Sequence, residues 1–133
     1  MCGENYFEEQ RKRVKKLYVQ KHVGFGGAVA MADWYVARLK KQECRCYYCE
    51  TSIDDINRLI AATLLKTRSV RGDGKRGPVL EIDKQENGYC IEECVLACYY
   101  CNNDKSYTCS KEDYKKYFGP TRKQYFNSLM KQL

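Results

Sequence analysis

Residues 80–106 read Leu80-Glu-Ile-Asp-Lys-Gln-Glu-Asn-Gly-Tyr-Cys-Ile-Glu-Glu-Cys-Val-Leu-Ala-Cys-Tyr-Tyr-Cys-Asn-Asn-Asp-Lys-Ser106. They set out an acidic extended end, a tight turn, a cysteine pair and a short polar helix, in that order. Alternation over 79–83 predicts a strand, Asn87-Gly88 is a strong turn dipeptide, and a second extended piece is expected around 89–91, so the segment should form a β-hairpin. Cys98-Tyr-Tyr-Cys101 follows and opens a short helix over about 99–105. An upstream pair, Cys46-Tyr-Tyr-Cys49, has the same spacing. Two separated Cys-x-x-Cys knuckles each present two thiolates to one tetrahedral ion, the geometry of a closed structural zinc site. Cys46, Cys49, Cys98 and Cys101 are therefore the expected ligands.

The chain has nine cysteines, an odd number, so they cannot all pair internally as disulfides. A reducing compartment would also discourage pairing. Alternatives to zinc are two disulfides, a redox-active pair, or another cluster drawn from five or six cysteines. Cys44, two residues before Cys46, competes with it as a ligand. Cys2, Cys90, Cys94 and Cys109 have no partner at knuckle spacing and read as buried thiols or bystanders. Structural zinc can supply about 10–16 kcal/mol of folding free energy in small peptides, a large term for a small domain. Tyr47, Tyr48, Tyr99 and Tyr100 inside the knuckles read as packing on one another and shielding the site, with base stacking as the alternative.

At 133 residues, 44% hydrophobic and 31% charged, the sequence suits one globular domain. Its weakly polar run at 23–32 is roughly half of the ~20 residues needed to span a bilayer, so no membrane crossing is expected. The N-terminus lacks the basic and apolar regions of a secretory signal, which points to the cytoplasm. Against 17 acidic residues stand 24 Lys and Arg, a formal charge of +7, which favours a polyanionic partner. The basic residues bunch into three groups: Arg11, Lys12, Arg13, Lys15, Lys16 and Lys21; Lys66, Arg68, Arg71, Lys75 and Arg76; Lys111, Lys115, Lys116, Arg122 and Lys123. Solvated helix faces would explain any one of them equally well.

Around the cysteine core the pattern is helical. Phe7, Val14, Leu17 and Tyr18 recur at helical spacing, predicting an amphipathic helix over about 5–20 that the glycines at 24, 26 and 27 end. Met31, Trp34, Tyr35, Arg38 and Leu39 mark a second over 28–42. Thr51 or Ser52 can cap a third, with Ile53, Ile56, Leu59, Ile60, Thr63 and Leu64 on one face. Residues 72–78 lack the Gly-Lys-Ser/Thr ending of a phosphate-cradling loop and read as a basic loop. Ser110 caps a helix carrying Tyr114, Tyr117 and Phe118 that should stop at Gly119-Pro120. Thr121 then starts a last one with Tyr125, Phe126, Leu129 and Met130 inward.

Over about 43–110, with Cys98-Tyr-Tyr-Cys-Asn-Asn-Asp-Lys105 after Val-Leu-Ala as its most specific part, the sequence resembles the HNH endonuclease family. The resemblance implies an α+β fold in which a ββα-metal hairpin, stapled by the four-cysteine zinc site, is surrounded by helices. It divides the single domain 1–133 into a basic helical part (1–42), the zinc and ββα-metal core (43–110) and C-terminal helices (111–133). It places Asp83 at the strand carboxylate that binds the catalytic divalent ion, Mg²⁺ or Mn²⁺, and Asn102 at the final metal-binding position. Lys84 stands where the family has its general-base histidine, and Glu93 where it has an asparagine; an arginine beside the aspartate is a known variation.

Phosphodiester hydrolysis needs a positioned water, charge stabilisation and relief of the leaving oxygen. An ammonium at Lys84 can stabilise charge but is a poor base near neutrality. Glu81, on the strand face of Asp83, is the first choice as proton acceptor, with Glu86 and Glu93 behind it. The expected activity is metal-dependent cleavage of DNA, or of RNA, with basic helices gripping phosphates. Two rivals are a silenced HNH-like module that still binds nucleic acid, and a zinc-stabilised protein-interaction domain. On the duller side, Asp83 could cap the hairpin, Asn102 the short helix, and Lys105 could be a solvated surface lysine.

Overall fold

In the computed structural model, residues 2–69 and 75–133 are described; Arg71 and positions 72–74 of the basic loop lie outside them. The class is α+β, rich in helix, with two small antiparallel two-stranded sheets. Among the described residues no helix is long and apolar enough to cross a membrane.

The first two helices form a pair. Helix α1 spans Glu4–Leu17 and α2 spans Ala28–Lys41. Between them a 3₁₀ turn, Gln20–Phe25, ends on Gly26 with φ of 85°, a left-handed conformation that glycine adopts without steric cost. The first helix thus stops before the glycines, which terminate the 3₁₀ turn instead. Val14 faces Phe25, Met31, Tyr35 and Leu39 in the core, whereas Leu17, expected inward, is 48% exposed. Arg13 is less solvated than Lys12, Lys15 and Lys16, and its guanidinium lies over the Tyr35 ring at 5.3 Å. Helix α3, Ile53–Ala61, is capped by Ser52, whose Oγ accepts from the Asp55 amide at 3.1 Å. Ile53, Ile56 and Leu59 are at most 1% exposed, each worth about 1.5–3 kcal/mol against exposure. Thr63 and Leu64 lie past the helix end.

Strands β1 (Arg68–Ser69) and β2 (Lys75–Arg76) form one short ladder. The other joins β3 (Glu81–Asp83) to β4 (Val95–Ala97), pairing Glu81 with Ala97 and Asp83 with Val95. The hairpin is real, but its second strand is 95–97 and not 89–91. The Asn87-Gly88 turn closes only a local bridge between Gln85 and Gly88. Helix α4, Tyr99–Lys105, follows β4 directly and packs on β3. The outward edge of β4 is completed by a side chain: the Gln42 amide donates to the Leu96 carbonyl at 2.9 Å and accepts from the Leu96 N–H at 3.1 Å. Tyr35 similarly donates to the Leu80 carbonyl from α2.

The C-terminal helices do not break at Gly119-Pro120. Helix α5 (Lys111–Asp113), capped by Ser110, runs through a π-helical turn (Tyr114–Phe118) into α6 (Gly119–Met130). Proline is tolerated because it sits in the first turn of α6, and the wider π turn before it absorbs the change in hydrogen bonding. Glycine at 119 has a packing reason: a Cβ there would stand 2.3 Å from the Tyr48 carbonyl oxygen. Phe126 and Leu129 point inward as expected, but Tyr125 is 48% exposed.

Gln42→Ala removes the only partner described for the buried Leu96 N–H. It should lower stability by about 1–3 kcal/mol in urea unfolding, with secondary structure unchanged.

Candidate metal centre and adjoining cavity

The first knuckle is a tight turn. Glu43, Cys44 and Glu50 around it have φ of 54°, 56° and 61°, left-handed values that cost L-residues energy and need surrounding structure to hold them. Cys46 N–H donates to the Thr51 carbonyl and Glu50 N–H to the Cys46 carbonyl, each at 3.0 Å, while Tyr47 N–H reaches the Leu96 carbonyl at 2.9 Å. The second knuckle is a helix start: Cys98 is the N-cap of α4, and its sulfur accepts from the Cys101 amide at 3.4 Å. A sulfur there gains from unpaired amides and the helix dipole.

These turns bring Cys46, Cys49, Cys98 and Cys101 together. All four are buried, their sulfurs lie within 4.8 Å of one another, and they could hold a metal ion. A tetrahedral ion with metal–sulfur bonds of about 2.3 Å would set sulfurs about 3.8 Å apart; Cys49 and Cys98 are at 4.0 Å. Hydrogen bonding among the sulfurs drives Cys49 far below the ordinary thiol range, with Cys101 its foremost donor. It pushes Cys98 and Cys101 up. A cation bound there would draw protons off the thiols. Cys44 is not in the cluster: it is disulfide-bonded to Cys2, with Cα atoms 6.5 Å apart, so neither is the competing ligand or bystander expected. Cys94 is buried and Cys90 and Cys109 are partly so, which fits the reading of these three as buried thiols or bystanders.

The cluster reaches the adjoining cavity through Tyr48. This ring is 2% exposed, packs edge-on against Tyr47 and Tyr114 at 5.2 and 5.0 Å, and donates its hydroxyl to Asp83 Oδ2. Burial, then the Asp83 hydrogen bond, push the phenol well above its ordinary range, so it remains a donor. Tyr99 and Tyr100 also pack edge to face, at 5.1 Å. Knuckle tyrosines therefore pack, and one of them also orients a carboxylate.

A cavity of about 1010 Å³ beside the hairpin is lined by Asp83, Lys84, Glu86, Glu93, Asn102 and Lys105, among others. Asp83 is 2% exposed, and Lys105 Nζ lies 3.4 Å from its Oδ2. Lys105 is 4% exposed and so is no surface lysine. Glu81, on the same strand, is gripped by Arg76 through two nitrogens at 3.0 and 2.5 Å and accepts from the Asn102 amide at 2.9 Å. With its nitrogen committed, Asn102 keeps its amide oxygen for another partner. Glu93 accepts from the Asn87 side chain at 3.2 Å, and Lys84 is exposed on the wall. His22, the one histidine, packs on Tyr89 at 4.7 Å outside this lining; its Nδ1 accepts from the Val19 amide at 3.1 Å, and burial lowers its pKa.

Sequence reasoning missed Tyr48 as a partner of Asp83, and Lys105 as a buried cation. Lys105 did carry one signal, being three residues after Asn102 on a helix and hence on its face. Compared with known proteins, the chain matches no family model, no curated protein and no solved structure.

Lys105→Met strands a buried carboxylate and should cost about 3–5 kcal/mol in denaturant unfolding, whereas Asp83→Asn combined with Lys105→Met should recover most of it. A loss below 1 kcal/mol for the single variant would contradict the buried pair.

Proposed function

We propose that the protein is a metal-dependent endonuclease of the HNH type that hydrolyses DNA, built on a ββα-metal hairpin with structural Zn²⁺ in the four-cysteine cluster. One observation carries this reading: a strand carboxylate, Asp83, and a helix amide, Asn102, line one cavity next to a closed thiolate cluster, in the order strand, strand, knuckle, helix. All-thiolate coordination without an open position suits a structural zinc.

Asp83 and the amide oxygen of Asn102 are hard donors that suit a divalent cation, Mg²⁺ or Mn²⁺. Such an ion, when bound, supplies charge stabilisation at phosphate oxygens. The chain's own groups do the rest. Tyr48 fixes the Asp83 carboxylate, and Glu81, itself anchored by Arg76, fixes Asn102. Lys84, projecting from the wall, meets negative charge building on the phosphate. With Glu81 occupied by Arg76 and Asn102, Glu93 is the better proton acceptor for an attacking water, since its described side-chain partner is the neutral Asn87 amide.

A second reading is a nucleic-acid-binding module without cleavage. The specific observation in its favour is Lys105: an ammonium beside Asp83 opposes a second cation at that carboxylate.

The discriminating experiment incubates supercoiled plasmid with the protein in Mg²⁺, Mn²⁺ or EDTA. Nicking should require the divalent ion, and Asp83→Ala or Asn102→Ala should each reduce its rate about 10²-fold or more. Salt-sensitive binding with no nicking in any ion supports the second reading.

A further inference from the structure

Several basic side chains that sequence places in clusters have work inside the molecule. Arg11 pairs with Asp33, Lys111 donates to the Glu93 carbonyl at 2.9 Å, Lys115 to the Tyr47 carbonyl, and Lys123 pairs with Glu50 at 2.8 Å. Three other cations are gathered at one place. Lys66 and Arg68, at the start of the β1 hairpin, and Arg122, from α6, line a second pocket of about 330 Å³ with Tyr100, Asn103 and Asp104. None of the three has an ion-pair partner among the described residues. The one acid among the described residues that line the pocket, Asp104, already accepts from the Tyr114 hydroxyl at 2.8 Å.

Mutual repulsion should spread these cations, yet the fold holds them in place. The Tyr100 hydroxyl donates to the Lys66 carbonyl at 2.8 Å, which fixes the approach of the hairpin to α4. The Arg122 guanidinium lies over the Phe126 ring at 5.5 Å. Arg76, which lines the large cavity, stacks at 4.7 Å on Tyr99, which lines this pocket, and Asn103 lines both.

We propose that this pocket is a phosphate seat that grips the backbone of a DNA strand beside the phosphate held in the large cavity. Three cations of two kinds, without an ion pair among the described residues, and a neutral amide suit a tetrahedral, delocalised anion, and a lining residue shared with the large cavity suits a polymer with repeated phosphates better than a free one. The proposal rests on the reading of the large cavity as a DNA site.

Its test is equilibrium binding of a fluorescein-labelled duplex in EDTA across a NaCl series, for the wild type, Lys66→Ala/Arg68→Ala, the triple variant adding Arg122→Ala, and Asp83→Ala. Lys66 and Arg68 are exposed, so the double variant should keep the wild-type melting temperature. The triple variant should bind about 10-fold or more weakly near 0.1 M salt, with the slope of log K against log salt smaller by about 2–3 and the double variant intermediate. Unchanged affinity and slope in the triple variant, with the wild type still binding, overturn the seat alone. No binding by the wild type at low salt overturns the DNA reading as well. Displacement of the duplex by inorganic phosphate at micromolar concentration would assign the pocket to a small phosphate ligand and overturn the strand assignment.

Discussion

Four buried sulfur atoms within 4.8 Å of one another impose the constraint on which the rest of this molecule depends. A cation bound there would take up the thiolates and tie together two segments far apart in sequence. The first knuckle hands its Tyr47 amide to β4 and its Tyr48 hydroxyl to Asp83; the second starts the helix that carries Asn102 and Lys105. On the outer side, α6 approaches the Tyr48 carbonyl so closely that only glycine fits at 119. The cysteine cluster and the cavity are thus mechanically one unit.

Within that unit each strand carboxylate is matched to a cation: Asp83 to Lys105 and Glu81 to Arg76. The buried Asp83–Lys105 pair stabilises little in net terms, because desolvation offsets attraction, but it fixes geometry. Asp83 is held by a phenol from one knuckle and an ammonium from the helix after the other. Its orientation therefore reports on both halves of the cluster. The same arrangement explains why a lysine beside the aspartate in sequence, Lys84, is free to face the solvent while a remote one, Lys105, is buried.

What could be read from sequence was local. Cysteine spacing is a property of four consecutive residues, so the four-cysteine cluster was legible, as were the Ser52 and Ser110 caps and the apolar stripes of α2 and α3. The second hairpin strand was not: Val95-Leu96-Ala97 is buried throughout, so it shows no alternation, and the turn signal at Asn87-Gly88 pulled the expected strand to 89–91. Gly119-Pro120 looked like a helix stop because a π turn, the device that admits it, has no sequence signature. The Cys2–Cys44 bond depends on how α1 lies against α2, which no spacing rule contains. Lysine burial at 105 likewise depends on a carboxylate twenty-two positions earlier in the chain.

X-ray absorption at the zinc edge of the purified protein tests the central claim most directly, because it counts the atoms around the metal. Four sulfur neighbours at about 2.3 Å, with no lighter atom in the shell, are the expected result. A shell of nitrogen or oxygen, or fewer than four sulfurs, would contradict the account.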